Sequence, residues 1–502
     1  MDKKKSILNI STSVLCRLIT IALSIVVKRM LIFACGNEVN GLNALFLSLI
    51  GFLSVAELGV GSAITFCMYK PIVDEDHNKV AALYHLFQKV YMIVGAIMLV
   101  GGLVMTPFLP HFAKDYTQLN VNMYLSFVLI LISIVITYVF GAKTSLINAY
   151  KDNYITTAIA SGSTVLVYLL QILVLWLTKS YIWYLGCRIV AAIAQWLITE
   201  YIARKKHGAI LKIDEKTLDA ETKTQLTRSI KAMFMHKAGN FLVNTVDSLV
   251  ISFFVGVIAL GKYSNYTSLQ TAMEGMLFLV FSSLTSIFGH LYAEKTKETT
   301  MKYFERMHLL NYVIASIFYL GYYAVIDNLI EIFFTESLVI EKSISFVIAL
   351  NGFVQYMRQS VLAFRDATGA FYNDRWKPLV EGFVNIVLSI AFVKLIGVVG
   401  VIVATIITNL LICHVVEPYV LFKNAFCQSP KRFYFNNYGK ILIFILSMLV
   451  FNTLLQSHEN PWIEFLANGF ISVGVSVTSC VVVTFLQPDM RKTIFQKLLK
   501  KA

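Results

Sequence analysis

Eight charged side chains lie deep inside long apolar segments of the sequence. They are Arg17, Lys28, Arg29, Glu57, Arg188, Asp247, Glu274 and Arg358. A charge at the centre of a bilayer costs at least about 2.5–3.5 kcal/mol, so such residues usually face a hydrated cavity and carry function. The five cations are therefore candidate contacts for an anionic substrate. The three carboxylates are candidate sites for a coupling ion or for counter-charge.

The cations also have structural interpretations. Lys28 and Arg29 lie toward the outer third of their segment, where long side chains can extend to the lipid headgroups. Arg188 and Arg358 lie off the centre of their segments and can do the same, or can belong to structural ion pairs. The sequence leaves both interpretations open.

The carboxylates have structural alternatives as well. Glu57 can pair with Arg17 on the preceding apolar segment. Asp247 and Glu274 can be protonated and hydrogen-bonded to polar neighbours. Counter-charge, ion binding and simple structure are therefore all compatible with these three residues.

Signatures of enzymatic chemistry are missing from the sequence. It contains no P-loop, GxGxxG, HExxH or GxSxG motif, which argues against ATP-driven or hydrolytic chemistry in this chain. Its seven cysteines are scattered and form no CxxC pair, so neither a disulfide framework nor a zinc site is indicated. We expect a protein that is not an enzyme and that needs no cofactor beyond a coupling ion, Na⁺ or H⁺.

The composition identifies the kind of element that must hold these charges. Of the 502 residues, 57% are hydrophobic and 14% are charged, against about 25% charged in soluble domains. The formal charge of +14 does not indicate nucleic-acid binding, because the basic residues form short clusters between apolar runs. The sequence therefore predicts an all-α polytopic membrane protein.

A membrane span needs roughly 20 mostly apolar residues, and fourteen segments of the sequence meet that condition. They are 7–34, 41–68, 87–109, 120–142, 155–178, 181–202, 236–257, 265–290, 307–326, 343–364, 379–396, 398–416, 440–456 and 463–486. Threaded with a cytoplasmic N-terminus, these spans leave 33 lysines and arginines inside and 5 outside. That bias predicts that both termini are cytoplasmic. The outside loops are short and offer little room for an external catalytic site.

Two sequence matches indicate an internal repeat. The turn Gly36-x4-Gly41 recurs as Gly256-x4-Gly261, 220 positions later, and the loop 149–153 recurs as 370–374. Six spans return the chain to the same side of the membrane, so the two repeats would be parallel. Spans 1, 2, 7 and 8 would then be equivalent, and they carry six of the eight deep charges. The simplest account is a shared hydrated cavity between two lobes.

The repeat sets the expected domain organisation. We expect an N-lobe, a solvated cytoplasmic linker, a C-lobe, and a final segment holding spans 13 and 14 with a cytoplasmic tail. The corresponding ranges are 1–203, 204–235, 236–425 and 426–502.

Several segments resemble the bacterial polysaccharide flippases, which transport O-antigen or capsule repeat units and belong to the multidrug/oligosaccharidyl-lipid/polysaccharide (MOP) exporter superfamily. In the first half these segments are LIFACGNEVNGLNALF at 31–46, AELGVGSAI at 56–64 and YKP at 69–71. In the second half they are TVDS at 245–248, YSNY at 263–266, FRDATG at 364–369 and KPLVE at 377–381. The resemblance extends from about residue 7 to residue 425.

This resemblance implies two six-helix lobes around a central cavity, plus two extra helices. It implies alternating-access transport of undecaprenyl-pyrophosphate-linked oligosaccharide to the outer leaflet of the bacterial cytoplasmic membrane. The cationic role known on span 1 of related lipid flippases would fall on Arg17, Lys28 and Arg29. Membrane lipids and a polysaccharide polymerase or export machinery are the partners that it implies.

Three other functions compete with this interpretation. A lipid II flippase would share the architecture and differ in the head group of its substrate. A MATE-like small-molecule antiporter would need an acidic, aromatic cavity for cationic substrates, whereas span 1 here is basic. A membrane polymerase or glycosyltransferase would need clustered catalytic carboxylates and larger external loops than this sequence provides.

Overall fold

The computed structural model describes the backbone of residues 3–57, 60–114, 121–150, 152–214, 217–220, 222–224, 226–227, 230, 245–368, 374 and 376–486. Side chains within these ranges are described except at 3–17, 55–56, 60, 62–63, 276, 278–287, 289–290 and 293. The side chain of Arg17 therefore lies outside the described residues.

Every regular element in the described part of the chain is a helix. Up to residue 254 the helices are α1 Lys3–Cys35, α2 Asn37–Leu53, α3 Val60–Val73, α4 His77–Met105, α5 Leu109–Phe112, α6 Met123–Ala149, α7 Asn153–Thr178, α8 Tyr181–Leu211 and α9 Thr245–Phe254. The remaining helices are α10 Val257–Glu294, α11 Lys297–Phe333, α12 Lys342–Met357, α13 Gln359–Ala367, α14 Lys377–Thr408, α15 His414–Leu421, α16 Lys431–Leu454 and α17 Pro461–Leu486. Nine helical segments of the described chain are long and apolar enough to cross a membrane. The all-helical, polytopic fold that the sequence predicts is confirmed.

The segment from Lys377 to Phe426 is 50 residues of nearly continuous helix. The backbone leaves helical geometry at Ile396 and at Gly397, whose φ of 59° and ψ of −136° suit glycine. Beyond the break the chain doubles back, because the amide of Asn385 donates to the Thr405 hydroxyl at 2.9 Å. In a straight helix these two residues would lie about 30 Å apart. The separation into spans 379–396 and 398–416 is therefore confirmed.

Two of the deep charges lie where a predicted span is interrupted. Within span 41–68, α2 ends at Leu53 and a 3₁₀ turn, Ser54–Glu57, ends at Glu57. Within span 343–364, Arg358 separates α12 from α13. Such interruptions release backbone groups that polar side chains can satisfy, so they are places where charged residues can be accommodated.

The chain forms two compact units, Met1–Gly261 and Lys262–Ala502. The division falls after the predicted linker 204–235, because α9 and the turn that follows it bind to earlier parts of the first unit. The Ser252 hydroxyl donates to the Phe112 carbonyl at 2.7 Å, and the Lys114 ammonium donates to the Phe254 carbonyl at 3.2 Å. The assignment of lobes to 1–203 and 236–425 stays a prediction.

The predicted linker is less solvated than its composition indicates. Its buried Ile210 and Leu226 join an apolar cluster with residues of α3, α4 and α6. Lys79 of α4 forms an ion pair with Asp219 at 3.2 Å. Hydrogen bonds from Thr222 and Lys79 lower the pKa of Asp219 to about 2. This segment is therefore packed against the first unit.

Candidate functional site

The first helix presents cations along a surface that other helices leave largely uncovered. Only 17% of the window Leu18–Cys35 is buried within the protein, although α1 packs against α2 and α7. Lys28 is half-buried and Arg29 is exposed. The Arg29 guanidinium lies 5.3 Å from the centroid of the Phe33 ring, one turn further along the helix. This cation–π contact holds the guanidinium beside the helix.

Helix geometry also relates Lys28 to Arg17. Eleven residues separate the two positions, which is close to three full turns, so both lie on one face of α1. The spacing along the axis is about 16 Å. The backbone thus aligns two cationic positions on one side of a helix, with Arg29 on the adjacent side.

Arg188 lies half-buried on α8, in the same unit as α1. No hydrogen bond or ion pair described for the first unit joins it to Lys28 or Arg29. The structure therefore brings Lys28 and Arg29 together on α1 and leaves Arg188 on a separate helix.

The fifth predicted cation, Arg358, lies in a closed ion cluster of the second unit. Its Nη2 and Nε donate to Glu417 Oε1 and Oε2 at 2.6 and 3.0 Å, and its Nη1 donates to Asn409 at 2.6 Å. The Lys377 ammonium contacts Glu417 at 2.7 Å and Glu381 at 2.8 Å. The two cations and two carboxylates balance one another, and Glu417 is 1% exposed. Arg358 therefore has the structural ion-pair role, and we do not carry it forward as a substrate contact.

Sequence reasoning did not single out Lys377, Glu381 or Glu417. The only local signal is the four-residue spacing of Lys377 and Glu381 at the start of α14, which is typical of a helical ion pair. Glu417 lies 59 residues from Arg358, and nothing local connects them.

The carboxylate of Glu57 is held by two tyrosines of the first unit. The hydroxyl of Tyr91 on α4 donates to one oxygen at 2.5 Å, and that of Tyr138 on α6 donates to the other at 2.8 Å. Both oxygens therefore have a phenolic partner, and these three side chains form a compact polar group within an apolar helix bundle.

The carboxylate of Glu274 has similar partners in the second unit. Its Oε1 accepts hydrogen bonds from Tyr319 on α11 at 2.6 Å and from Gln270 at 2.8 Å. Asp247, the third predicted carboxylate, is 9% exposed on α9, next to the buried Thr245 and Val246. The structure thus places Glu57 and Asp247 in the first unit and Glu274 in the second.

A cavity of about 660 Å³ lies in the first unit, at the ends of α1 and α7 and the beginnings of α2 and α8. Glu38, Asn122, Lys179 and Tyr181 are among the residues that line it. None of the eight predicted site residues does so. The central cavity between lobes stays a prediction.

The two glycine turns of the sequence repeat lie against each other. Gly36 and Gly256 have φ values of 95° and 131°, which glycine adopts most readily. The amide of Asn37 donates to the Ile258 carbonyl at 3.2 Å, and that of Asn40 donates to the Gly261 carbonyl at 3.1 Å. Position 37 thus lies near 261 while 41 lies near 257, as two copies related by a pseudo-twofold axis would.

Glycine at 41 and 261 permits this approach of two backbones, and we expect Gly41→Ala and Gly261→Ala to destabilise the protein. A Cβ at 41 would overlap the carbonyl oxygen of Val257, and one at 261 would lie 2.5 Å from that of Asn37. Overpacking of this kind costs about 1–3 kcal/mol. The midpoint of thermal unfolding in detergent should fall for both variants.

Gly162→Ala on α7 is the matched control, because its Cβ would meet nothing within 4 Å. Alanine favours helix over glycine, so this variant should unfold at the parent temperature or above it. Equal unfolding temperatures for Gly41→Ala and Gly162→Ala would show that the close approach has no energetic weight.

Comparisons with known proteins place the chain by its fold. Neither the protein-family models nor the curated proteins searched gave a match to the sequence. Among solved structures, it is similar to the lipid II flippase MurJ in an inward closed conformation, with a TM-score of 0.64 at 14% identity over 96% of this chain and 99% of that one. It is also similar to an inward-facing MATE-family multidrug transporter of the MOP superfamily, with a TM-score of 0.57 at 13% identity over 80% and 94%. The Vibrio cholerae MATE transporter VcmN gives 0.54 at 12% over 84% and 98%.

These likenesses define the class of the fold. The chain has the all-helical fold of the MurJ and MATE transporter structures, and it matches nearly the full length of each of them. That fold is the one that the resemblance to MOP exporters implies. The substrate has to be argued from the residues.

Proposed function

We propose that this protein is a flippase that moves undecaprenyl-pyrophosphate-linked oligosaccharide repeat units from the inner to the outer leaflet of the bacterial cytoplasmic membrane. The observation that carries the proposal is the basic, largely uncovered face of α1, with Lys28 and Arg29 in a membrane-spanning helix. Arg17 on the same helix and Arg188 on α8 are proposed as further contacts. Both termini are proposed to be cytoplasmic.

The chemistry of such a substrate requires cations in this position. A diphosphate that carries several sugars cannot cross hydrocarbon without losing its hydration. Guanidinium and ammonium groups replace part of that hydration with charge-assisted hydrogen bonds to the phosphate oxygens. The prenyl tail can stay in the lipid while the head group moves through the protein.

Transport would follow the alternating-access scheme of transporters built from repeats. The similar solved folds include an inward closed and an inward-facing conformation, which supports a scheme with more than one state. The membrane potential, positive outside, would draw the anionic head group outward. Glu57, Asp247 and Glu274 are proposed to supply ion coupling or counter-charge.

Transport of lipid II is the second candidate, favoured by the fold shared with MurJ. Its substrate carries the same pyrophosphate and would use the same cations, so the two candidates differ only in the sugars recognised. A MATE-like antiporter of cationic compounds is disfavoured, because Lys28 and Arg29 would repel such substrates.

Reconstituted liposomes can separate these functions. The purified protein should increase the rate at which undecaprenyl-pyrophosphate oligosaccharide becomes accessible to an external lectin, relative to protein-free liposomes. Lipid II and a fluorescent cationic compound are assayed in parallel. Movement of lipid II alone would favour the second candidate, and movement of the cation alone would contradict the proposal.

A further inference from the structure

The two carboxyl clusters are related by the same repeat as the glycine turns. Glu57 and Glu274 are 217 positions apart, close to the repeat offset of 220. Tyr138 and Tyr356 are 218 positions apart and occupy equivalent places in α6 and α12. Each half of the chain thus carries a glutamate and a tyrosine in matching positions.

A second tyrosine completes each set. Tyr91 lies 14 residues before the end of α4 at Met105, and Tyr319 lies 14 residues before the end of α11 at Phe333. Their helices differ in length only before these positions, since α11 is longer at its beginning. The first unit therefore contains Glu57, Tyr91 and Tyr138, and the second contains Glu274, Tyr319 and Tyr356.

The aromatic geometry of the two sets is also alike. The rings of Tyr91 and Tyr138 have centroids 5.5 Å apart, and those of Tyr319 and Tyr356 have centroids 6.0 Å apart. Tyr138, Tyr319 and Tyr356 are 6%, 1% and 4% exposed. The two clusters therefore share a construction of one carboxyl beside two packed phenols.

Glycines provide the space for the first tyrosine of each set. A Cβ at Gly141 on α6 would lie 2.5 Å from the Tyr91 ring, and a Cβ at Gly352 on α12 would overlap the Tyr319 ring. In both units the glycine belongs to the helix that carries the second tyrosine. These contacts fix the phenols beside the carboxyl, as a binding site requires.

The groups that face each carboxyl are neutral hydrogen-bonding side chains. Around Glu57 they are Tyr91 and Tyr138. Around Glu274 they are Gln270, Tyr319, Tyr356 and, further away, Tyr322. In the described part of the chain, no ion pair balances either carboxylate, in contrast to the buried Glu417.

We propose that Glu57 and Glu274 are paired, equivalent proton-binding sites, one in each unit, with the tyrosines as positioning residues. A proton from water adds to one carboxylate oxygen to give a carboxylic acid, which donates to a phenol that has turned to accept. The same proton returns to water when the carboxyl is next exposed. A metal cation would need several oxygens around it, whereas both oxygens of Glu57 already hold phenols at 2.5 and 2.8 Å.

This inference deepens the proposed function, because it identifies the coupling ion as a proton and locates its two sites. Infrared difference spectroscopy of the full-length protein in liposomes tests it without any substrate. The carboxylic-acid C=O band should appear as the pH is lowered. Glu57→Gln and Glu274→Gln should each remove one component, and the double variant should lose both.

The tyrosine and control variants keep the test decisive if a glutamine variant misfolds. Tyr138→Phe and Tyr356→Phe leave the carboxyl in place and should shift the frequency and titration midpoint of one component each. Glu459→Gln, at an exposed position, should leave the bands unchanged. Bands that persist in both glutamine variants, or bands that Na⁺ removes at constant pH, would overturn the proposal.

The two proposals can fail separately. Normal bands with no movement of lipid-linked oligosaccharide would keep the proton sites and reject the substrate. Movement of the oligosaccharide with unchanged bands in the glutamine variants would reject the proton sites alone.

Discussion

Lys28→Ala and Arg29→Ala each lower the rate of lipid-linked oligosaccharide transport by about 10- to 100-fold. A hydrogen bond to a charged group contributes about 1.5–3 kcal/mol, and 1.4 kcal/mol corresponds to a factor of ten. Both side chains lie on the least covered part of α1, so their removal leaves a pyrophosphate in the membrane without its counter-charge. The liposome assay with external lectin measures the rate, and immunoblotting of membranes shows that the variants are inserted.

Two further variants separate loss of charge from loss of structure. Arg29→Lys keeps the charge and should retain much more transport than Arg29→Ala. Lys205→Ala removes an exposed cation at the end of α8, far along the chain from α1, and should transport at the parent rate. Parent-level transport in both Lys28→Ala and Arg29→Ala would remove α1 from the substrate path.

Glu417→Ala lowers the free energy of unfolding by about 3–5 kcal/mol, the range found when one partner of a buried ion pair is removed. Arg358 and Lys377 would then share the single carboxylate of Glu381 inside the second unit. The loss also disconnects α15 from α14 and from the end of α12. Unfolding monitored by circular dichroism in detergent, over a denaturant series, measures the change.

Glu298→Ala is the control, because that glutamate is exposed and paired only with Lys302 one turn away. It should unfold at nearly the parent denaturant concentration. Arg358→Ala should resemble Glu417→Ala in stability, since both break the same cluster. A stable Arg358→Ala protein that has lost transport would restore Arg358 as a substrate contact.

Hydropathy predicted most of the fold because a membrane span has to be both long and apolar. The break at Gly397 was visible as a pair of glycines between two apolar runs, and the backbone there takes a conformation that suits glycine. The repeated turns at 36–41 and 256–261 were also visible. Their mutual contact was not, because a repeat in sequence gives the equivalence of two segments and no distance between them.

Side-chain partners could not be predicted, because they join helices that are distant in sequence. Arg358 had the same signal as Lys28, a cation in an apolar run, and only the position of Glu417 distinguishes them. Glu57 is bound by tyrosines 34 and 81 residues away. Composition also failed for the segment after α8, where a few apolar residues such as Leu226 pack into the first unit despite charged surroundings.

Binding of the lipid carrier itself tests the central role of α1 most directly. Native mass spectrometry of the purified protein, mixed with equal amounts of undecaprenyl pyrophosphate and undecaprenol, compares two lipids that differ only in the charged head. The parent protein should retain the pyrophosphate lipid preferentially, and a Lys28→Gln/Arg29→Gln protein should retain both alike. Equal retention by the parent, or an unchanged preference in the double variant, would contradict a cationic site for pyrophosphate on α1.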